Sequence, residues 1–379
     1  MRIGIDARLI AYRRGMGNFV YNLIMELAKL PGDEQYVLYV DDMKEEEFAP
    51  CNSRFKFRKI RPSFYPIWEQ LTLPLAVARD HVDILHCPAN TAPLLVPGNC
   101  RLILTIHDVM YLLPSRLLPP SPSFYQRLGR IYRRFLVPRV AHRAKVVVTV
   151  SYCSRQDIIK YIALPENRIY VVQEASGRVY RPVENTVALE SVRKKYTLDR
   201  PFILALAGVD PRKNTSRLIE AFAKILIETN RSYQLAMIGL PSSARHRFFQ
   251  EARKLEIDNQ IVFSGFVPED DLVALYNLAE VFVYPSLYEG FGLPILEAMA
   301  CGTPVVTSPR GSIPEVAGDA AIFVDPLSAE AISHGIKRVL TDHELARRLR
   351  EKGFERVKSF SWRNAAIKML QIYKKVGQS

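Results

Sequence analysis

Glu289 and Glu297 stand with seven residues between them in the run Val283-Tyr284-Pro285-Ser286-Leu287-Tyr288-Glu289-Gly290-Phe291-Gly292-Leu293-Pro294-Ile295-Leu296-Glu297-Ala298-Met299-Ala300-Cys301-Gly302-Thr303-Pro304-Val305-Val306. An apolar strand ends at Pro285, and Gly290 and Gly292 let the chain turn tightly before a helix. Backbone amides there, with the positive end of that helix, suit a diphosphate. Glu297 falls one turn into the helix, where a carboxylate can accept two hydroxyl donors. Two carboxylates beside a phosphate cradle repel it unless they bind sugar or ribose hydroxyls. The segment therefore predicts a nucleotide sugar or similar ligand. The plainer alternative is a turn followed by a solvent-facing glutamate.

Three further segments carry candidate chemistry. Gly208-Val209-Asp210-Pro211-Arg212-Lys213-Asn214 follows a strand and opens a helix. Cations at a helix start oppose its dipole, an objection that a bound anion removes. Gly15 and Gly17 precede the first long helix and permit close backbone approach, with Asn18 near the cap. His107 follows a strand and precedes Asp108, which could orient it or cap the next segment; the other six histidines read as structural or solvated.

The elements that must position these residues alternate. Short β-branched runs (Arg2–Asp6, Tyr36–Val40, Ile84–Cys87, Leu102–Ile106, Lys145–Val150) intersperse with helical spacing, as in Asn18–Leu30. The rhythm repeats with strands at Phe202–Ala207, Tyr233–Ile238, Ile261–Phe263, Val281–Tyr284 and Pro304–Thr307. Such alternation predicts parallel sheets covered by helices. A linker near Glu174–Pro182 divides the chain into residues 1–175 and 176–359. Ligands then lie beyond the carboxyl ends of the strands.

The Val283–Val306 run resembles the donor-binding signature of retaining glycosyltransferases of the GT-B fold, family 4. The Pro211-Arg212-Lys213-Asn214, Thr105-Ile106-His107-Asp108, Val150-Ser151-Tyr152-Cys153-Ser154 and Phe360-Ser361-Trp362 stretches are similar to other segments of that family. The resemblance implies two Rossmann-like domains facing a deep cleft, acceptor-binding (1–175) and donor-binding (176–359), with residues 360–379 as a helix returning to the first. It implies that Glu297 bonds the ribose, and that Glu289, with the amides of Gly290, Phe291, Gly292 and Leu293, meets the sugar and diphosphate. Lys213 pairs with the diphosphate. Many members carry an arginine where Val209 stands, which leaves Arg212 as the second-cation candidate. His107 contacts the sugar, the Gly15/Gly17 loop and Gly208 approach the ligand, and backbone near Phe266 contacts the base. Arg13 and Arg14 could face the acceptor.

The implied reaction moves a hexose from a nucleotide diphosphate sugar to a hydroxyl of a lipid-linked or growing oligosaccharide, with retention and without a metal or other cofactor. Trp68-Glu69-Gln70-Leu71-Thr72-Leu73-Pro74 looks like members that build O-chains, tilting the donor towards GDP-mannose over UDP- or ADP-glucose. A non-catalytic two-domain sugar-binding protein is the alternative of a different class.

Composition fits this reading. The 379 residues carry 48% hydrophobic side chains and suit two or three domains. The N-terminal Arg2–Asp6 run reads as a strand rather than a signal peptide. Five scattered cysteines without a CxxC pair suggest neither disulfides nor zinc, and a cytoplasmic setting. The net charge of +13 concentrates in Arg54–Arg61, interleaved with Phe55 and Phe57, and between Asp108 and Asp157, where no acidic residue occurs. That pattern suits an anionic membrane surface or a solvated face. Nucleic acid is not indicated, because no reader motif accompanies the charge.

Overall fold

A computed structural model describes residues 1–11, 15–41, 52–62, 64–114, 124–230 and 232–378. Arg13, Arg14 and Cys51 lie outside them. The chain forms two compact units, one of residues 1–112, 128–174 and 361–379, the other of 113–127 and 175–360.

The first unit contains strands β1 (Arg2–Asp6), β2 (Gln35–Val40), β3 (Phe55–Lys59), β4 (Ile84–Cys87), β5 (Arg101–Thr105), β6 (Val146–Thr149) and β7 (Ile169–Val171). Its described helices are α1 (Met16–Lys29), α2 (Tyr65–Ile67), α3 (Leu73–Arg79), α4 (Phe124–Arg143) and α5 (Tyr152–Ile162), with a π-helical turn Trp68–Thr72 joining α2 to α3. The second unit contains β8 (Phe202–Leu206), β9 (Gln234–Ile238), β10 (Ile261–Phe263), β11 (Val281–Tyr284), β12 (Val305–Thr307) and β13 (Ala321–Phe323). Around them lie α6 (Thr186–Lys195), α7 (Thr215–Glu228), α8 (Ser242–Lys254), α9 (Glu269–Leu278), α10 (Leu293–Ala300), α11 (Ile313–Ala317), α12 (Ala329–Thr341) and α13 (His343–Val357). The last helix, α14 (Trp362–Gln378), belongs to the first unit.

Both sheets are parallel. Their orders are β3-β2-β1-β4-β5-β6-β7 and β10-β9-β8-β11-β12-β13. Strands such as Val146–Thr149 and Val281–Tyr284 are buried along their whole length, as a sheet covered on both faces requires. In each sheet the order reverses beside its first strand, between β1 and β4 and between β8 and β11. That reversal opens a crevice at the strands' carboxyl ends, the usual ligand position in doubly wound sheets.

Helix α14 seals the first unit. Trp362 meets Phe19 of α1 edge-on at 5.9 Å, and the Tyr373 hydroxyl lies 2.7 Å from His86 Nδ1. The other His86 nitrogen lies 2.8 Å from Thr105 Oγ1. Burial first, then the nearby His107, pushes its pKa down to about 3, so His86 is a neutral core residue.

Within the basic run Arg54–Arg61, Phe55–Lys59 form β3 at the sheet's edge, where Arg54 pairs with Glu34 at 3.9 Å and Arg58 with Asp80 at 3.3 Å, while Lys56, Arg58, Lys59 and Arg61 stay exposed. Basic side chains on an exposed edge discourage pairing with another chain.

Gly335 of α12 packs directly on the second sheet. A Cβ there would approach Val324 Cγ1 to 2.5 Å and Val306 Cγ1 to 3.2 Å. Both neighbours are β-branched and cannot swing aside. Overpacking a core costs about 1–3 kcal/mol, against the ~1 kcal/mol a helix gains when alanine replaces glycine. Gly335→Ala is therefore expected to lower the urea midpoint of the second unit; a raised midpoint would contradict this packing.

Candidate functional site

The site in the second unit grows from the two strands that flank its reversal. After β8, Gly208 donates its amide to Thr215 Oγ1 at 3.2 Å and leaves room for Lys213, whose Cγ would lie 3.3 Å from an added Cβ. Asp210 caps the 3-10 turn Pro211–Lys213 by accepting from the Arg212 amide at 3.0 Å. Asn214, at φ 59°, closes the turn; its side-chain amide donates to the carbonyls of Pro285 (3.1 Å) and Pro326 (2.6 Å). The Leu287 amide donates to the Arg212 carbonyl at 2.8 Å. The loops after β8 and β11 are thus bonded into one piece.

Behind that piece, the Ser312 hydroxyl lies 2.9 Å from the Glu289 carbonyl and 2.6 Å from that of Phe291. Gly311 has φ +59°, and a Cβ there would sit 2.7 Å from the Glu289 carbonyl oxygen, so only glycine fits.

Four donors converge on the Glu289 carboxylate. Arg212 Nη1 reaches Oε2 at 2.6 Å, and Lys213 Nζ reaches Oε1 at 2.9 Å. The Tyr284 hydroxyl donates at 2.7 Å and the Ser286 hydroxyl at 2.8 Å. Lys213 also donates to the Tyr284 hydroxyl, and its ammonium lies 4.5 Å from that ring's centre. Burial works against Glu289's charge, but Arg212 and then Lys213 overcome it and hold its pKa down at about 2. For Lys213, burial pushes the pKa down against the pull of Glu289. The carboxylate is therefore ionised at neutral pH and saturated with donors, a weak base and a poor nucleophile.

This corrects one element of the sequence reading. Glu289 and Glu297 do not form an unrelieved pair needing sugar hydroxyls. Glu289 is neutralised by Arg212 and Lys213, and Glu297 is buried on α10, accepting from the Tyr276 hydroxyl at 3.2 Å. Nor is Glu297 solvent-facing. The anion that reconciles two cations with a helix start is, in this state, Glu289 itself.

Gly292, at φ +121°, is the residue before α10, and Leu293 is its first residue. Gly290 lies in the loop leading to it. The Phe291 ring packs edge-on against Phe360 at 5.7 Å, so this residue offers its backbone rather than its ring. Phe266, after β10, is 69% exposed. The structure brings Gly208, Arg212, Lys213 and Glu289 together, and places Phe266 on a separate loop of the same unit.

In the first unit, Gly15 (φ 51°) precedes α1 and accepts from the Asn18 amide at 3.0 Å; Gly17, expected before the helix, is instead the second residue of α1 and is buried. Among the described residues no heavy atom lies within 4 Å of a Cβ added at Gly15. Asn18 does not cap the helix. Its side-chain oxygen accepts from Asn22 at 2.5 Å.

His107 follows β5 and is held on every side. Its amide donates to Asn90 Oδ1 (2.6 Å) and its carbonyl accepts from Ser154 Oγ (2.9 Å), the residue whose own amide is capped by Ser151. Its Nδ1 lies 3.2 Å from Glu174 Oε1 and its Nε2 lies 2.9 Å from the Pro88 carbonyl. Burial disfavours the charged ring, but Glu174 and then the Pro88 carbonyl raise the pKa overall. Two acceptors facing two ring nitrogens are satisfied together only by the imidazolium. Asp108 does not orient the ring; it accepts from the Met110 amide at 3.0 Å. The sequence reading missed Glu174 and Tyr284 as partners, although Tyr284 stands in the quoted motif. Among the described residues no group of three or more His, Cys, Asp or Glu side chains is arranged around a metal position.

Residues 190–356 match the family model described as glycosyl transferases group 1, and residues 13–174 match that described as glycosyltransferase family 4. The O-antigen chain mannosyltransferase B of Escherichia coli is 33% identical over 297 residues, 78% of this chain and 75% of that protein. The chain belongs to glycosyltransferase family 4. The glycosyltransferase is also 31% identical to the serotype-specific mannosyltransferase WbdA of E. coli over 77% of its own length and 35% of the relative's. A sucrose-phosphate synthase from Thermosynechococcus elongatus shares the enzyme's fold, with a TM-score of 0.77, 20% identity and 99% of both chains covered.

Two titrations check these environments. Glu289's folded pKa, about 2, lies below its ordinary 4.5. Its stabilisation, on the order of 3 kcal/mol, is complete above pH ~4.5 and fades as pH falls towards 2. Urea unfolding of wild type against Glu289→Gln should show a gap at pH 7 that narrows by pH 3; a gap independent of pH would contradict the ion pair. His107 runs the opposite way, stabilising fully below about pH 6.5 and losing that contribution as pH rises through its raised pKa. NMR of the His107 ring should show its pKa falling in Glu174→Gln, and an unchanged titration would contradict the pairing.

Proposed function

We propose that this glycosyltransferase moves mannose from GDP-mannose to a hydroxyl of a lipid-linked or growing oligosaccharide, with retention of anomeric configuration and without a metal. The observation that carries the reading is the convergence of Arg212 and Lys213 on one buried carboxylate beside the start of α10. It is an anion-binding arrangement already built, with Glu289 as its internal occupant. A diphosphate brings more charge and more acceptor oxygens than one carboxylate, so it competes for the same cations.

In this mechanism the anomeric carbon–phosphate oxygen bond breaks as the acceptor oxygen bonds to carbon on the same face. The acceptor's proton passes to the departing phosphate oxygen. Lys213, Arg212 and the amides of residues 290–293 stabilise the charge that develops on the leaving diphosphate. Glu289, released in part from its cations, accepts sugar hydroxyls; its low pKa and saturated oxygens argue against a covalent glycosyl intermediate. Glu297 holds the ribose, Phe266 backbone meets the base, and Gly15, Gly17 and Gly208 give backbone access. His107, its pKa raised by Glu174 against burial, supplies positive charge near the transferred sugar when protonated. Mannosyltransferase relatives favour mannose, and UDP- or ADP-glucose is the competing donor class.

A screen of GDP-, UDP-, ADP- and TDP-sugars by product detection tests the donor, with NMR of the product's anomeric configuration testing retention. Turnover of GDP-mannose above the others is expected; nucleotide binding without turnover of any would favour the non-catalytic alternative. Lys213→Ala should lower kcat/KM on the order of 10²–10³-fold. Glu297→Ala should raise the donor KM about tenfold with kcat nearly unchanged. Wild-type kinetics in Lys213→Ala would remove the proposed phosphate contact.

A further inference from the structure

The Trp68–Thr72 turn takes no part in the donor chemistry, and it brings two side chains to the end of β1. It is π-helical, a widening frequent at functional sites, and it turns the consecutive residues Trp68 and Glu69 fully inward. Glu69 is saturated there. Tyr65 donates to its Oε1 at 2.8 Å, and Gln70 and Tyr132 donate to Oε2 at 2.8 and 2.6 Å. Asp6, the last residue of β1, is the opposite case. It is 6% exposed, and among the described residues its carboxylate accepts one hydrogen bond, from the Arg8 amide at 3.3 Å. Burial raises its pKa to about 7, with the Arg8 amide opposing and the Glu69 charge adding. A buried acceptor so short of donors calls for an explanation.

Beside it, donors are left over. The Trp68 indole N–H faces Asp6 but falls short of a hydrogen bond, and Arg8 Nε and Nη1 are buried with no partner among the described residues. Arg8 is nonetheless held in place. Its guanidinium lies 4.7 Å from the Tyr65 ring centre, and its Nε lies 3.6 Å from Asp41 Oδ2. A structural ion pair would close the Arg8 side chain on Asp6; here Asp6 receives only the backbone amide. The Arg8 side chain is 19% exposed, so it reaches the surface and can turn its donors to a ligand. Acceptors short of donors next to donors short of acceptors match hydroxyl groups, each of which does both. An anion would meet Asp6 and Glu69, and a cation would meet Arg8. The place is the carboxyl end of β1, at the reversal between β1 and β4, where doubly wound sheets take ligands.

We propose that Asp6 and Arg8, backed by Trp68, form a subsite for an uncharged saccharide end, whose hydroxyls donate to Asp6 and accept from Arg8. The first unit thereby selects a sugar terminus over a phosphorylated one. This rests on the reading of the enzyme as a transferase to a saccharide hydroxyl, but its test needs no donor. Saturation-transfer NMR of the intact protein without nucleotide reads binding of the methyl α-glycosides of mannose, glucose and N-acetylglucosamine, and of mannose 6-phosphate. A neutral glycoside should bind, with affinity falling about tenfold in Asp6→Asn and in Arg8→Gln. Carboxyl-carbon NMR should show the Asp6 pKa falling as that glycoside is added, a change that a purely structural carboxylate would not make. If Asp6→Asn fails to fold, Arg8→Gln and the wild-type titration still decide. Calorimetry with GDP tests the donor reading separately, so a wild-type protein that binds no GDP and one that binds no glycoside are distinct failures. Binding of none of the glycosides would overturn the subsite. So would glycoside binding that both variants keep, or a preference for mannose 6-phosphate that Arg8→Gln abolishes.

Discussion

A buried carboxylate and two partly buried cations organise the second unit. A buried ion pair by itself is weak evidence for stability, because desolvation consumes much of the Coulomb gain. What stabilises this one is the full complement of donors on Glu289, two charged and two hydroxyl. Removing any one of these charges strands the others. The surrounding loops are accordingly overdetermined: Asn214, Leu287 and Ser312 each tie one loop to another across the site, and only glycine fits at position 311. Such rigidity makes the arrangement a preorganised cluster rather than a flexible salt bridge.

The fold explains why these residues meet. The same doubly wound order is used twice, and in the second unit the reversal falls between the strands whose loops supply Lys213 and Glu289. In the first unit the corresponding reversal lies between β1 and β4, and His107 comes from the next strand along, fixed by Asn90 and Ser154. Its Glu174 partner is the last residue of that unit's second segment, so His107's charge is set by the point where the chain leaves the unit.

Much of this was legible in the sequence, and the exceptions have physical causes. Buried parallel strands such as Val281–Tyr284 read as unbroken apolar runs, and their positions agree with the sequence reading to within a residue or two. β3 was read as a basic run because an edge strand can alternate aromatic and cationic residues without looking apolar. Asp108 suggested itself as the partner of His107 by adjacency, yet neighbouring residues at a strand's end point to opposite sides. The true partner is 67 residues away. The Lys213–Glu289 contact spans 76 residues, so no local spacing could reveal that the two charges neutralise each other. The motif residues themselves were visible; their mutual electrostatics required the fold.

The most direct measurement is a crystal structure of the intact enzyme with bound GDP. The account predicts diphosphate oxygens within hydrogen-bond distance of Lys213 Nζ and the Arg212 guanidinium, with Glu289 keeping fewer than its present four donors. A diphosphate bound elsewhere, with the Glu289 cluster unchanged, would contradict it.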